Sequence, residues 1–207
     1  MRVTPPARGR PVGVNGEQTR ARIVAAAMRC VAEVGYSRTT IRQIARAAEI
    51  TSGSLYHHFP NKSELLEATV REVDEIALPR LRSAADRPDD VVDRLESVLD
   101  ELDRLMRDYP DLAAFDRAMR AQRAPHPRGI PSTGLKALRA IINDIVADAV
   151  SGGALPPSTD PAAVVDALYA LTRGLTERAS SLTPDAYAAT LSSAKRLIRG
   201  TLFGGPR

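Results

Sequence analysis

The chain has 207 residues, 43% hydrophobic and 26% charged, which is enough to bury a sizeable core. No apolar run is long enough to span a bilayer. No secretory pattern follows the basic N-terminus, and the single cysteine, Cys30, rules out an intrachain disulfide, so a reducing cytoplasm is the expected location. The net charge of +4 is unevenly spread. Residues 1–62 hold nine arginines and Lys62 against Glu17, Glu33 and Glu49, a net +7, whereas residues 63–207 hold 19 basic and 22 acidic side chains, a net −3. A basic head on a mildly acidic body points to a polyanion as partner of the head alone.

Residues 1–16 mix Pro5, Pro6 and Pro11 with three glycines and three arginines. They show no apolar period and read as a disordered basic arm. From Glu17 the period becomes helical, with Ile23, Ala26, Ala27, Cys30, Val31 and Val34 on one face until Gly35 stops it. Cys30 lies on that apolar face and reads as a small buried hydrophobe. A short second helix starts at Thr40, which forms a capping box with Gln43; Ile41, Ile44, Ala45 and Ala48 make its inner face. Thr51 caps a third helix, Ser52 to His58, with Leu55 and Phe59 inward, and Pro60 ends it. Asn61 with Glu64 opens a fourth helix, expected to end near Leu78.

Beyond Pro79 and Pro88 the pattern stays helical. Val91 to Met106 carries a clear apolar stripe, Tyr109-Pro110 interrupts, and Leu112, Phe115 and Met119 belong to a further helix. Three prolines make residues 123–134 a loop. Leu135 to Val150 forms the next helix, closed by Gly152-Gly153. Asp160-Pro161 and Thr183-Pro184 open the last two by the same device, a capping side chain before a proline in the first turn. No alternating strand pattern or internal repeat is present. The expected fold is all-α: a trihelical head, residues 17–62, and a six-helix body, residues 63–207.

A short helix, a tight turn at Ala48–Thr51 and a second short helix rich in small polar residues form a helix-turn-helix layout. In such a pair the second helix lies in the major groove. Thr51, Ser52 and Ser54 are small donors and acceptors, Gly53 lets backbone approach the duplex, and Tyr56 and His57 can reach phosphates. Thr39, Thr40 and Lys62 sit near helix N-termini, where free N–H groups favour phosphate oxygens. Gly35-Tyr36-Ser37-Arg38-Thr39-Thr40-Ile41-Arg42-Gln43-Ile44-Ala45 followed by Gly53-Ser54-Leu55-Tyr56-His57-His58-Phe59-Pro60-Asn61-Lys62 closely resembles the TetR/AcrR family of bacterial repressors over about residues 17–70. The resemblance implies DNA contacts by Thr39, Thr40, Thr51, Ser52, Gly53, Ser54, Tyr56, His57 and Lys62, a homodimer, and a ligand-binding C-terminal domain. The chain departs from the family's pattern at Glu49, where glycine is usual, at Ser52, where lysine is common, and at Cys30-Val31, where an aromatic is frequent.

In the body, Leu102, Met106, Tyr109, Phe115, Met119, Ile142, Ile145 and Tyr169 gather large adaptable side chains, either as plain helix core or as the lining of a cavity for a small apolar effector. The last two helices place Leu168, Gly174, Leu175, Leu191, Ala194, Leu197 and Ile198 on stripes suited to a four-helix dimer bundle. His57 and His58 are neighbours on a helix that face different ways, and no ligand set completes a metal site. No catalytic motif is present and no cofactor is expected. The expected function is an effector-responsive regulator, a repressor on a palindromic DNA operator. The alternatives are a DNA-binding regulator without effector, or an enzyme with a structural helical N-terminus.

Overall fold

The computed structural model describes residues 12–86, 90–122 and 133–203, with side chains from residue 16 in the first segment and from residue 137 in the third. Among these residues the elements are helices: α1 (Val12–Arg38), α2 (Ile41–Ala47), α3 (Ser52–His58), α4 (Lys62–Ala85), α5 (Val91–Asp108), α6 (Leu112–Ala121), α7 (Thr133–Ser151), α8 (Pro161–Ala179) and α9 (Pro184–Ile198). None of them is long and apolar enough to cross a membrane. Five starts are set by the capping side chains read in the sequence. Thr40 accepts from Gln43 N, Thr51 from Ser54 N, Asn61 from Glu64 N, Asp160 from Ala162 N and Thr183 from Ala186 N. Each satisfies a donor that the first helical turn otherwise leaves unpaired.

Three helix boundaries differ from the sequence expectation, and the chain beside two of them is undescribed. Helix α1 begins at Val12, so residues 12–16 are helix and not arm; residues 1–11 lie outside the described residues. Extending a nucleated helix adds one hydrogen bond per residue fixed, which can offset the low propensity of glycine. Helix α4 runs through Pro79 to Ala85 instead of ending near Leu78. The proline costs a backbone hydrogen bond, but Leu81, Ala84 and Ala85 beyond it are buried, and that burial carries the helix on. Helix α7 begins at Thr133, inside the expected loop; residues 123–132 lie outside the described residues.

The head and body share α4. Helix α1 packs on α2, α4 and α6, while α4 packs on α5 and α7. Leu65 and Leu66 on α4, Leu105 on α5, and Ile142 and Ile145 on α7 are fully buried. Ion pairs tie outer helices to this core. Lys195 of α9 meets Asp100 of α5 at 2.8 Å, Arg94 of α5 meets Asp148 of α7 at 2.9 Å, and Arg117 of α6 meets Glu177 of α8 at 3.3 Å. Glu101, buried on α5, lies between Arg80 at 2.6 Å and Arg104 at 2.7 Å. Burial pushes its carboxyl upward, but the hydrogen bonds from Arg104 and Arg80 outweigh that and hold it below the usual carboxylate range.

The turn between α2 and α3 is set by backbone geometry. Ile50 N donates to Ala45 O at 3.0 Å and Glu49 N to Arg46 O at 3.1 Å, the paired bonds that close a helix through a left-handed residue. That residue is Glu49, with φ 54°, where a side chain costs about 1 kcal/mol. Arg22 of α1 donates to the carbonyl of Ala48 and, at 3.3 Å, to that of Glu49. The Glu49 carboxylate itself is 3.7 Å from Arg22 and widely exposed, so this ion pair adds little. Glu49→Gly is therefore expected to stabilise the fold by about 1 kcal/mol, seen as a rise of about 2–4 °C in thermal unfolding.

Candidate nucleic-acid interface

Helices α2 and α3 have seven residues each. Helices this short are not stable in water alone, so their placement comes from caps and from burial. Ile44 and Leu55 are fully buried, with Ile41, Ala45 and Phe59 beside them. The opposite face of α3 is solvent-exposed: Gly53, Ser54, Tyr56 and His57 all point outward, and Ser52 is half-buried. Tyr56 is 54% exposed, far more than a core tyrosine would be. A Cβ added at Gly53 would meet only Thr51 Oγ1, at 3.8 Å, so nothing among the described residues demands glycine there. The exposed side of α2 adds Arg42, Gln43 and Arg46.

The nine residues expected at DNA divide into two groups. Thr40, Thr51, Ser52, Gly53, Ser54, Tyr56 and His57 lie on or beside this outward face. The hydroxyls of Thr40 and Thr51 are also engaged as helix caps, Thr40 with Gln43 and Thr51 with Ser54. Thr39 and Lys62 are placed differently. Thr39 is 1% exposed, and its hydroxyl donates to Gly35 O at 2.8 Å. It therefore closes the kink within α1, where Gly35 takes φ 79°, and its side chain faces inward, away from the outward face of α3. The Lys62 ammonium donates to Tyr36 O at 3.0 Å and Thr39 O at 3.1 Å, and sits 4.6 Å from the Tyr36 ring centroid. With two of its three donors on carbonyls and a cation–π contact besides, Lys62 clamps the head from the start of α4. Its sequence position beside a helix N-terminus suggested phosphate; the carbonyls left free by the bend at Gly35 attract it inward instead.

Two arginines of α1 do work that the sequence did not single out. Arg22 grips the carbonyls at the end of α2. Arg20 pairs with Glu72 of α4 at 2.9 Å, and its guanidinium lies 5.7 Å from the centroid of Phe59, the residue that ends α3. In the sequence both are ordinary members of a polar helix face.

The body residues expected to line a pocket are mostly core. Leu102, Phe115, Met119, Ile142 and Ile145 are buried, while Met106, Tyr109 and Tyr169 are half-buried against them. A cleft of about 400 Å³ opens elsewhere, between α1, α4 and the turn from α5 to α6, and of those eight residues only Tyr109 lines it. Large side chains at helical spacing fill a core as readily as they line a cavity. In the expected dimer stripe, Leu175, Leu191 and Ala194 are buried within the protomer, Leu168 and Ile198 are half-buried, and Leu197 is 48% exposed. Gly174 is open to solvent, with nothing within 4 Å of an added Cβ.

A capped pair of short helices, an outward polar face on the second and an all-helical body define a helix-turn-helix transcriptional regulator. Comparison with known proteins identifies which kind. The sequence profile of bacterial regulatory proteins of the tetR family matches residues 23–69. The transcriptional repressor KstR2 of Mycobacterium tuberculosis is 30% identical over 155 residues, 74% of either chain. The regulator TtgR of Pseudomonas putida is 42% identical over 59 residues, a match that spans only 28% of either chain. Among solved structures, Bacillus subtilis FadR in complex with stearoyl-CoA superposes with a TM-score of 0.74 at 19% identity, over 87% of this chain and 98% of that one. The chain belongs to the TetR family. Regulators of this family bind operator DNA and small-molecule effectors, generally as dimers.

The two groups of head residues predict different phenotypes. Thr39→Val and Lys62→Ala should both lower the unfolding temperature, Thr39→Val by about 1 kcal/mol for a lost buried hydrogen bond. Tyr56→Ala, at a side chain half in solvent, should leave it within about 0.5 kcal/mol of the parent protein. Thermal denaturation followed by circular dichroism checks all three.

Proposed function

We propose that this protein is an effector-responsive repressor that binds a palindromic operator as a homodimer, with α3 in the major groove. The reading head is residues 17–62 and the ligand-binding and dimerisation body is residues 63–207, α4 leading from one into the other. Thr40, Ser52, Ser54, Tyr56 and His57 are the side chains offered to DNA, with Gly53 admitting the backbone and Thr51 holding the helix start. The observation that carries the reading is the outward polar face of α3, held by caps at both flanking starts and by Arg22 at the preceding turn. The net +7 of residues 1–62 supports a polyanionic partner for that face. A head this small reads a few base pairs, so two are needed at half-sites about 34–36 Å apart or a multiple of that.

Helices α8 and α9 are the proposed dimer face. Leu175, Leu191 and Ala194 form its floor, and Leu171, Gly174 and Leu197 lie along the groove above them. Small residues there allow close approach of a second copy across a two-fold axis. The effector is a small, largely apolar molecule. The apolar cleft between head and body supports that choice over a regulator without effector.

Fluorescence anisotropy on operator fragments selected from genomic DNA tests this. Affinity should fall steeply as salt rises, because phosphate contacts release counterions. Tyr56→Ala should weaken binding at least tenfold with an unchanged melting curve. Leu197→Glu, at an exposed position, should give monomers in light scattering and lose the operator. A Tyr56→Ala protein of parental affinity removes α3 from the interface, and a dimeric Leu197→Glu protein removes α9 from it.

A further inference from the structure

The cleft of about 400 Å³ lies where the reading head meets the body. Val24 and Met28 of α1 form one wall, Val73 and Ile76 of α4 another, and Leu105 and Leu112 the third. Its size falls at the lower end of the range of drug-sized ligand sites. Four charged side chains also line it: Arg29, Glu72, Asp108 and Asp111. Two of the carboxylates are already committed, Glu72 to Arg20 at 2.9 Å and Asp108 to Arg80 at 2.8 Å. Asp111 occupies the cap position of α6 and makes no cap hydrogen bond. It leaves an acceptor in the cleft, and Arg29 on α1 supplies a donor of opposite charge. The charged lining is compensated by Arg20 and Arg80, and the walls are apolar. A charged molecule would give up hydration there without a net counter-charge. A neutral, apolar molecule with a hydroxyl or carbonyl at one end gives up little.

We propose that this junction cleft binds a neutral, largely apolar molecule of that kind, and that it is the effector site of the repressor reading on which this inference rests. The placement gives the cleft a lever on DNA. An occupant stands between α1 and α4. Helix α1 holds the turn before α3 through Arg22, so displacing α1 moves the recognition helix without passing through the body's core. The coupling is effective only if the molecule prefers the arrangement that does not fit the operator.

Nile red, a neutral apolar dye with a ring carbonyl whose emission rises in apolar surroundings, is the probe. Titrated into the protein without DNA, it should bind at least tenfold more tightly than the anionic dye anilinonaphthalene sulfonate, a difference of about 1.4 kcal/mol. Ala25→Trp, an exposed cleft residue, should fill the site and lower Nile red affinity tenfold or more. Ala147→Trp, exposed on α7, should not. Nile red should also weaken operator binding by the parent protein and fail to do so with Ala25→Trp. Equal binding of the two dyes, or parental Nile red affinity in Ala25→Trp, overturns the site. Dye binding at the cleft with unchanged operator affinity overturns its effector role. A protein that binds no operator even without dye refutes the repressor reading, and the titration without DNA still decides the cleft.

Discussion

Two helices of seven residues must be held rigidly enough to read a DNA surface, and neither can hold itself. This constraint organises the head. The start of each is fixed by a threonine cap, Thr40 for α2 and Thr51 for α3. The junction between them is fixed by a left-handed residue and by Arg22, which collects carbonyls that a helix end leaves without partners. On the other side, Lys62 does the same for the carbonyls of Tyr36 and Thr39 beside the kink at the end of α1. Two cations that a charge count assigns to phosphate binding thus hold peptide carbonyls. The head's basicity divides between an outer part that can meet DNA and an inner part that shapes the surface.

The same α1 that carries Arg22 lies against α6, and α6 is joined to α8 through Arg117 and Arg120 with Glu177. A continuous set of contacts therefore leads from the proposed dimer face to the turn before α3. It runs beside the junction cleft, whose walls include α1 and the first residue of α6. The placement of α3 therefore depends on how α1 sits on its neighbours.

Much of the fold could be read from the residues because its boundaries are chemical. Thr40-x-x-Gln43, Asn61-x-x-Glu64, Asp160-Pro161 and Thr183-Pro184 act locally, within one turn, and all four start helices where the sequence placed them. The left-handed residue of the turn, Glu49, stands where the family usually has glycine, so the resemblance and not a local cap marked that position. What sequence could not supply was the competition between distant partners. Lys62 beside a helix start reads as a phosphate ligand until the bend at Gly35 brings two carbonyls to it. Thr39 reads as an exposed donor until α1 and α4 close over it. Phe115 and Met119 have the composition of a pocket lining and the burial of a core, and only packing tells these apart. Pro79 reads as a helix end because the residues beyond it repay the broken bond only through tertiary burial.

That proline has a mechanical consequence. Helix bending concentrates where the backbone ladder is interrupted, and α4 has its interruption at Pro79, between a part tied to the head and a part tied to α5. Arg80, immediately after Pro79, is pinned to Glu101 and Asp108 on α5, and Leu81, Ala84 and Ala85 are buried. The part before it carries Lys62 and Glu72, which are attached to the head. Both parts are buried, Leu65, Leu66 and Thr69 before the proline and Leu81, Ala84 and Ala85 after it, and Pro79 interrupts the ladder between them. In that arrangement a given rotation at Pro79 gives the largest travel at the far tip, where the reading head is mounted.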